Sequence, residues 1–155
     1  MGIISTLINI LRQFEGTQEV PSITEYTLSG SELQSLITPL GLEKYYIWDW
    51  NYYYASLEDW GKVFEHIFVN MPKYTADKFD CENFALLASA NVSSTFKLNT
   101  CGIAIGSSPM GEHGFNLFAA QVDDKPSLFY LEPQTADVFP IEEPKGYKPR
   151  LAIFG

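Results

Sequence analysis

The chain has 155 residues, of which 46% are hydrophobic and 19% charged, and its formal net charge is -9. The length predicts one globular domain, and the acidic balance argues against general nucleic-acid binding, which uses Lys and Arg to neutralise phosphates. No apolar run approaches the roughly 18 residues that predict a transmembrane helix.

The first third of the chain mixes helical and aromatic patterns. Residues 1–15 carry apolar side chains at helical spacing and predict an amphipathic helix that packs on the domain or associates with a partner or a second copy. Residues 17–30 predict a loop or one short strand, and a helix follows over residues 31–38. Residues 43–55 are crowded with aromatic side chains, which either pack a small core or line a peptide or sugar groove.

Two further helices have clear start signals. Ser56 and Asp59 form a capping box in front of a helix predicted over residues 57–69. Asp80 is an N-cap residue for a second helix that begins with Cys81.

The rest of the chain has the character of strands. Apolar or alternating runs separated by turn residues predict strands at about 101–106, 113–121 and 127–132. The stretch "VDDKPS" predicts the turn of a hairpin, and the tail predicts an edge strand in "RLAIFG". Helices followed by antiparallel strands predict an α+β domain, with N-terminal helices packed on a C-terminal antiparallel sheet. We divide it into a helical extension, 1–42, and a core, 43–155.

Cys81 is the candidate nucleophile. A helix N-terminus favours the thiolate form of a cysteine, whereas the neighbouring Asp80 and Glu82 raise a thiol pKa. A protonated His113 is the cation that would offset them. The predicted hairpin brings Glu132 near His113, where a carboxylate could orient the imidazole.

Other residues are assigned to the same chemistry. Gln134 could supply an amide donor to an oxyanion, and Trp48, Trp50 and Asn116 are assigned to substrate binding. Cys101 opens an apolar run and is interpreted as a buried small side chain. Two free thiols predict a reducing compartment, the cytoplasm of a bacterium or of a host cell, with secretion left open.

Three sequence blocks carry a family resemblance. "MPKYTADKFDCENFA", "EHGFNLFAA" and "LFYLEPQT" resemble the papain-like cysteine-protease domain at the C-terminus of fungal chimerolectins of the Marasmius oreades agglutinin type, and related bacterial and phage proteins. The resemblance covers roughly residues 45–136. It implies a papain-like fold and a catalytic triad of Cys81, His113 and Glu132. The sugar-binding β-trefoil of those lectins is missing, so their lectin function does not transfer.

The resemblance also implies calcium dependence, for which Asp80 and Glu82 are the candidate ligands. The function expected on this basis is a cysteine-nucleophile hydrolase that cleaves a peptide or amide bond in a peptide or protein substrate. One alternative is a peptidoglycan amidase or endopeptidase, or a transglutaminase-like acyl transferase. Another is a non-catalytic phage- or virion-associated binding module that keeps the fold.

Overall fold

The computed structural model describes residues 19–155. Within that range the chain forms one mixed sheet of eight strands and three helices. The strands are β1 (Glu25–Ser29), β2 (Lys44–Ile47), β3 (Asn51–Ser56), β4 (Gly102–Ser108), β5 (Gly111–Val122), β6 (Lys125–Glu132), β7 (Asp137–Pro140) and β8 (Lys148–Phe154). The helices are α1 (Gly30–Ile37), α2 (Leu57–Phe68) and α3 (Cys81–Phe96). The helix predicted over residues 1–15, with its proposed partner contact, lies outside the described residues.

Strand β5 is the centre of the sheet. It pairs antiparallel with β4 along its first half and with β6 along its second half, and it pairs parallel with β3 near its end. The strand order is β1-β3-β5-β4-β8-β2, with β6 and β7 continuing from β5. Strands β4 and β3 therefore pair with the same edge of β5, β4 along its first half and β3 near its end, so the sheet curls.

The sheet buries side chains on both faces. Along β5, Phe115 and Leu117 enter one core, and Phe118 and Ala120 enter the other. Helix α1 covers the first core, whereas α2 and α3 cover the second. A strand buried on both faces has a nearly continuous apolar sequence, as "GFNLFAA" does.

Helices α2 and α3 begin and end within one residue of their predicted positions. Ser56 Oγ accepts the backbone N–H of Asp59 at 3.0 Å, which caps α2. The helix then packs Trp60 and Phe64 against Phe118, with ring centroids 4.9 Å and 5.0 Å away. None of the helices in residues 19–155 is long and apolar enough to cross a bilayer.

The predicted arrangement of N-terminal helices on a C-terminal antiparallel sheet is wrong. Strands β1, β2 and β3 come from the N-terminal third, and two of the pairings, β3 with β5 and β2 with β8, are parallel. The aromatic segment forms strands because its residues alternate: Tyr52 and Tyr54 are buried, whereas Tyr53 is exposed. The tail forms β8, which lies between β4 and β2 instead of at an edge.

The β5–β6 hairpin turn gives a first prediction. Asp123 and Asp124 both have positive φ, 47° and 61°, a conformation in which Asn-Gly is preferred. Replacing the pair by Asn-Gly should raise the free energy of unfolding by about 0.5 to 1 kcal/mol, because glycine adopts positive φ without steric cost. Urea denaturation measures the change. Ser94→Gly within α3 is the control and should destabilise the protein; an unchanged or lower stability of the turn variant would contradict the prediction.

Candidate functional site

Cys81 is the first residue of α3 and is half-buried. The backbone N–H of Asp80 donates to Asn83 Oδ1 at 3.2 Å, and the backbone N–H of Phe84 donates to the Asp80 carbonyl at 3.0 Å. These contacts close the first helical turn, so the thiol is held at the helix N-terminus as the sequence predicts.

Gly114 allows strand β5 to touch the start of α3. A Cβ at this position would lie 2.7 Å from the Cα of Glu82 and 2.9 Å from its backbone nitrogen. The backbone N–H of Gly114 reaches the sulfur of Cys81. Because His113 directly precedes Gly114, the backbone of His113 lies next to the start of α3.

Burial and Glu82 favour the protonated form of the Cys81 thiol by raising its pKa. Its Sγ donates to Glu82 Oε2 at 3.3 Å. Partial burial raises the pKa of the thiol, the Gly114 N–H opposes that effect, and the Glu82 carboxylate adds to the rise. The net pKa lies above its ordinary value, whereas an activated nucleophile needs a thiolate. Burial and the Glu82 carboxylate thus outweigh the backbone N–H groups of Gly114 and Glu82, which lower the pKa of the thiol.

His113 and Glu132 form a buried pair. His113 Nε2 lies 2.5 Å from Glu132 Oε2, and the Tyr147 hydroxyl donates to the same oxygen at 2.9 Å. The backbone N–H of Gln134 donates to Glu132 Oε1 at 3.1 Å. Burial raises the pKa of the Glu132 carboxyl, but these donors outweigh burial and hold the pKa below its ordinary value. A carboxylate only accepts hydrogen bonds, so Nε2 carries the hydrogen of the imidazole.

Gln134 and Asn116, which the sequence assigned to the oxyanion and to substrate binding, lie in different surroundings. The half-buried side chain of Gln134 lines a groove of about 430 Å³ between the loop after α2 and the loop after β6. Asn116 is fully buried, and its Nδ2 donates to the carbonyls of Ala85 at 2.9 Å and Gly102 at 3.1 Å. The Asn116 amide therefore ties α3 to β4.

Asp80 and Glu82 interact with each other. A side-chain hydrogen bond with Glu82 is the largest of the effects that raise the pKa of Asp80. No group of three or more His, Cys, Asp or Glu within residues 19–155 could hold a metal ion. Calcium takes six to eight oxygen ligands, so these two residues do not form a site by themselves, and calcium binding stays a prediction.

A second concave surface lies at the other end of the sheet, beside the edge strand β2. It has a volume of about 520 Å³, within the range of small-molecule sites. We call it the aromatic groove, and its lining residues are Ser29, Gly30, Ser31, Gln34, Tyr45, Tyr46, Ile47, Trp48, Asp49 and Trp50.

Its two tryptophans are held out in solvent: Trp50 is 91% exposed and Trp48 is 69% exposed. The backbone of their turn, 48–50, is nevertheless fixed. The N–H of Trp48 donates to the Phe154 carbonyl at 3.4 Å. The N–H of Asp49 donates to the Tyr52 hydroxyl at 3.0 Å. The Trp50 carbonyl accepts the N–H of Gly30 at 2.9 Å. A rigid turn thus presents the two indole rings.

Polar groups of the groove are also positioned. Asn99 Nδ2 donates to Asp49 Oδ2 at 2.9 Å and to the Asn51 carbonyl at 3.2 Å, while Asn99 Oδ1 accepts the N–H of Tyr53 at 2.7 Å. On the opposite wall, Gln34 Nε2 donates to the Tyr45 hydroxyl at 2.6 Å. The groove combines exposed rings with oriented carboxylate, amide and hydroxyl groups.

No protein-family model and no curated protein matches the chain. Among solved structures, "PSL1a-E64 complex" is 19% identical with a TM-score of 0.64, covering 83% of this chain and 51% of that chain. Polyporus squamosus lectin bound to the epitope Neu5Aca2-6Galb1-4GlcNAc is also 19% identical, with a TM-score of 0.61, covering 83% and 49%. The chain spans about half the length of these lectin chains. At this identity the likeness shows a shared fold alone.

These matches correct the resemblance drawn from the sequence blocks. The matched structures are of a Polyporus lectin, and neither name identifies Marasmius oreades agglutinin or a cysteine protease. The papain-like assignment is therefore wrong, as are the descriptions thiol protease and catalytic triad. The resemblance rests on short blocks of residues around Cys81, His113 and Glu132. The pKa of the Cys81 thiol depends on burial and on Glu82, and burial is not visible in such a block. The individual roles of Cys81, His113, Glu132 and Gln134 stay predictions.

Sequence reasoning missed Tyr147, Asn99 and Gln34. Tyr147 lies in a proline- and glycine-rich tail, and Asn99 follows α3 without a motif. Each acts through a contact with a residue at least 11 positions away. The density of aromatic residues at 43–55 predicted either a small core or a groove there, and it indicated none of these three polar residues.

The buried His113–Glu132 pair gives a prediction on pH. The lowered pKa of Glu132 stabilises the fold above the ordinary value of 4.5, and the effect is lost as pH falls through the folded-state pKa. Glu132→Gln should cost about 2 to 3 kcal/mol at neutral pH, because a charged acceptor is removed from buried donors. The difference from wild type should shrink below about pH 4.5, measured by urea denaturation, with exposed Glu142→Gln as control. A constant difference down to about pH 3 would contradict this account.

Proposed function

We propose that the chain is a non-catalytic binding module that holds a carbohydrate in the aromatic groove. The observation that carries the proposal is the exposure of Trp50 and Trp48, 91% and 69%, on a turn whose backbone is fixed by hydrogen bonds. Exposed aromatic rings on a rigid segment are uncommon unless they meet a ligand or partner. The lectin structures that share the fold, one of them bound to a glycan epitope, support this choice.

The chemistry of the groove suits a sugar. The apolar C–H face of a pyranose ring packs on an indole ring, and its hydroxyls need both donors and acceptors. Asp49 supplies acceptors, and Ser31 and Gln34 supply hydroxyl and amide groups on the facing wall. Because the turn is held before the ligand arrives, little backbone freedom is lost on binding.

The test is a titration of the chain with a panel of oligosaccharides, followed by tryptophan fluorescence and calorimetry. Trp50→Ala should weaken binding at least tenfold, as expected for a truncated aromatic anchor. Trp48→Ala should weaken it as well. The matched control is Met110→Ala, which removes a side chain of the same exposure as Trp48, 69%, from the β4–β5 turn. Wild-type affinity in the Trp50 and Trp48 variants would contradict the proposal.

A second candidate function is thiol-dependent cleavage of a peptide or amide bond at Cys81. The observation that favours it is the contact of Gly114, which follows His113 in the chain, with the start of α3, together with the contact between His113 Nε2 and Glu132. A structure sharing the fold is a complex with E64. In this alternative the Cys81 proton would pass to His113, and Gln134 would face the oxyanion. Peptidoglycan hydrolysis and acyl transfer to an amine would use the same residues and differ in the substrate.

Alkylation of Cys81 by iodoacetamide across pH, with and without calcium, separates the two candidates. For a binding module we expect slow labelling with a midpoint above that of a free thiol, because burial and Glu82 raise the pKa of Cys81. Glu82→Gln should speed the reaction at neutral pH. Cys101 is an internal control, since burial raises its pKa to about 12. A low midpoint that is lost in His113→Ala would favour the second candidate.

A further inference from the structure

We infer that the aromatic groove selects neutral sugars and discriminates against sialylated, anionic ones. The inference rests on the proposed carbohydrate-binding function and adds a ligand class to it. It also gives this chain a ligand preference different from that of the Polyporus squamosus lectin of the same fold, which was solved with a sialylated epitope.

The charge of the groove is acidic. Of its ten lining residues, Asp49 is the one with a charged side chain, and no Lys or Arg is among them. The Lys44 ammonium lies over the ring of Tyr46, 5.5 Å from its centroid. Glu32 on α1 adjoins the lining residues Ser29 and Ser31; hydrogen bonds from Ser29 lower its pKa, so it stays ionised. The ten lining residues themselves include no cation, and at the groove the two carboxylates of Asp49 and Glu32 outnumber the one ammonium of Lys44.

The Asp49 carboxylate, at the rim of the groove, is held in one orientation by its hydrogen bond to Asn99. Asn99 donates to its Oδ2, and Asn99 is itself held by the N–H of Tyr53 and the carbonyl of Asn51. A carboxylate accepts hydrogen bonds and donates none. It can therefore bind sugar hydroxyls, whereas a second carboxylate meets repulsion without a compensating hydrogen bond.

The expected size of the discrimination follows from Coulomb's law. Two like charges about 6 Å apart change affinity about threefold in bulk water and about a hundredfold near a protein surface, so a change on the order of tenfold is expected at low salt for a partly hydrated pair. The net charge of -9 acts in the same direction at longer range. Salt screens exposed charges, with a Debye length of about 30 Å at 0.01 M and about 8 Å at 0.15 M. The discrimination should therefore fall as salt is added.

The experiment uses matched pairs of oligosaccharides that differ by one terminal sialic acid, beginning with Neu5Aca2-6Galb1-4GlcNAc and its neutral disaccharide core. Affinities are measured by tryptophan fluorescence for the full chain at about 0.01 M and about 0.15 M salt. Asp49→Asn removes the charge and keeps an oxygen to accept from Asn99. Glu43→Gln is the control, since it removes one exposed acidic charge outside the groove lining.

We expect neutral members to bind about tenfold more tightly at low salt, and Asp49→Asn, but not Glu43→Gln, to bring the two affinities within about twofold. Equal or tighter binding of sialylated members by the wild type overturns the inference and leaves the sugar site in place. If Asp49→Asn and Glu43→Gln reduce the discrimination equally, Asp49 is not the residue that causes it. Failure of every glycan in the panel to bind overturns the proposed function, and this inference with it.

Discussion

The contact between the start of α3 and strand β5 at Gly114 is the constraint on which the rest of the structure depends. No side chain fits there, since a Cβ would lie 2.7 Å from the backbone of Glu82. Two residues further along β5, Asn116 reaches the Ala85 carbonyl of α3. Together they lock the helix against the sheet, so Cys81 is half-buried beside Glu82, and both burial and Glu82 raise the pKa of its thiol. The raised pKa of the thiol is thus a consequence of packing.

The same central strand explains why an aromatic surface is left open. Because β5 is buried on both faces and pairs with three strands, the helices cover the middle of the sheet. Strand β2 lies at the end of the strand order and pairs with β8 alone. Within residues 19–155, Tyr45 on that edge contacts α1 through Gln34, whereas Trp48 and Trp50 in the 48–50 turn stay largely exposed. The exposure of the two indole rings follows from this position at the end of the strand order.

Local signals in the sequence were enough for some elements and not for others. The caps at Ser56 and Asp80 predicted α2 and α3, and the paired aspartates predicted the hairpin turn. The strands at 44–56 were missed because aromatic residues occupy both faces there, which conceals the alternation of burial. The predicted hairpin placed His113 and Glu132 near each other. The contact of the Tyr147 hydroxyl with Glu132 was not predicted, because a contact between residues 15 positions apart in an irregular tail has no local pattern.

The aromatic groove exists only when the domain is folded, and this property bears on how its ligand is held. Its turn depends on the carbonyl of Phe154 near the C-terminal end and on the N–H of Gly30 near the start of α1. Its carboxylate depends on Asn99, which lies 50 residues away along the chain. Groups fixed by such distant contacts cannot adapt much to a ligand, so selectivity must come from the charge and shape already present. On the proposed function, the exposed indoles and the fixed carboxylate of the groove would therefore act on its ligand without rearranging.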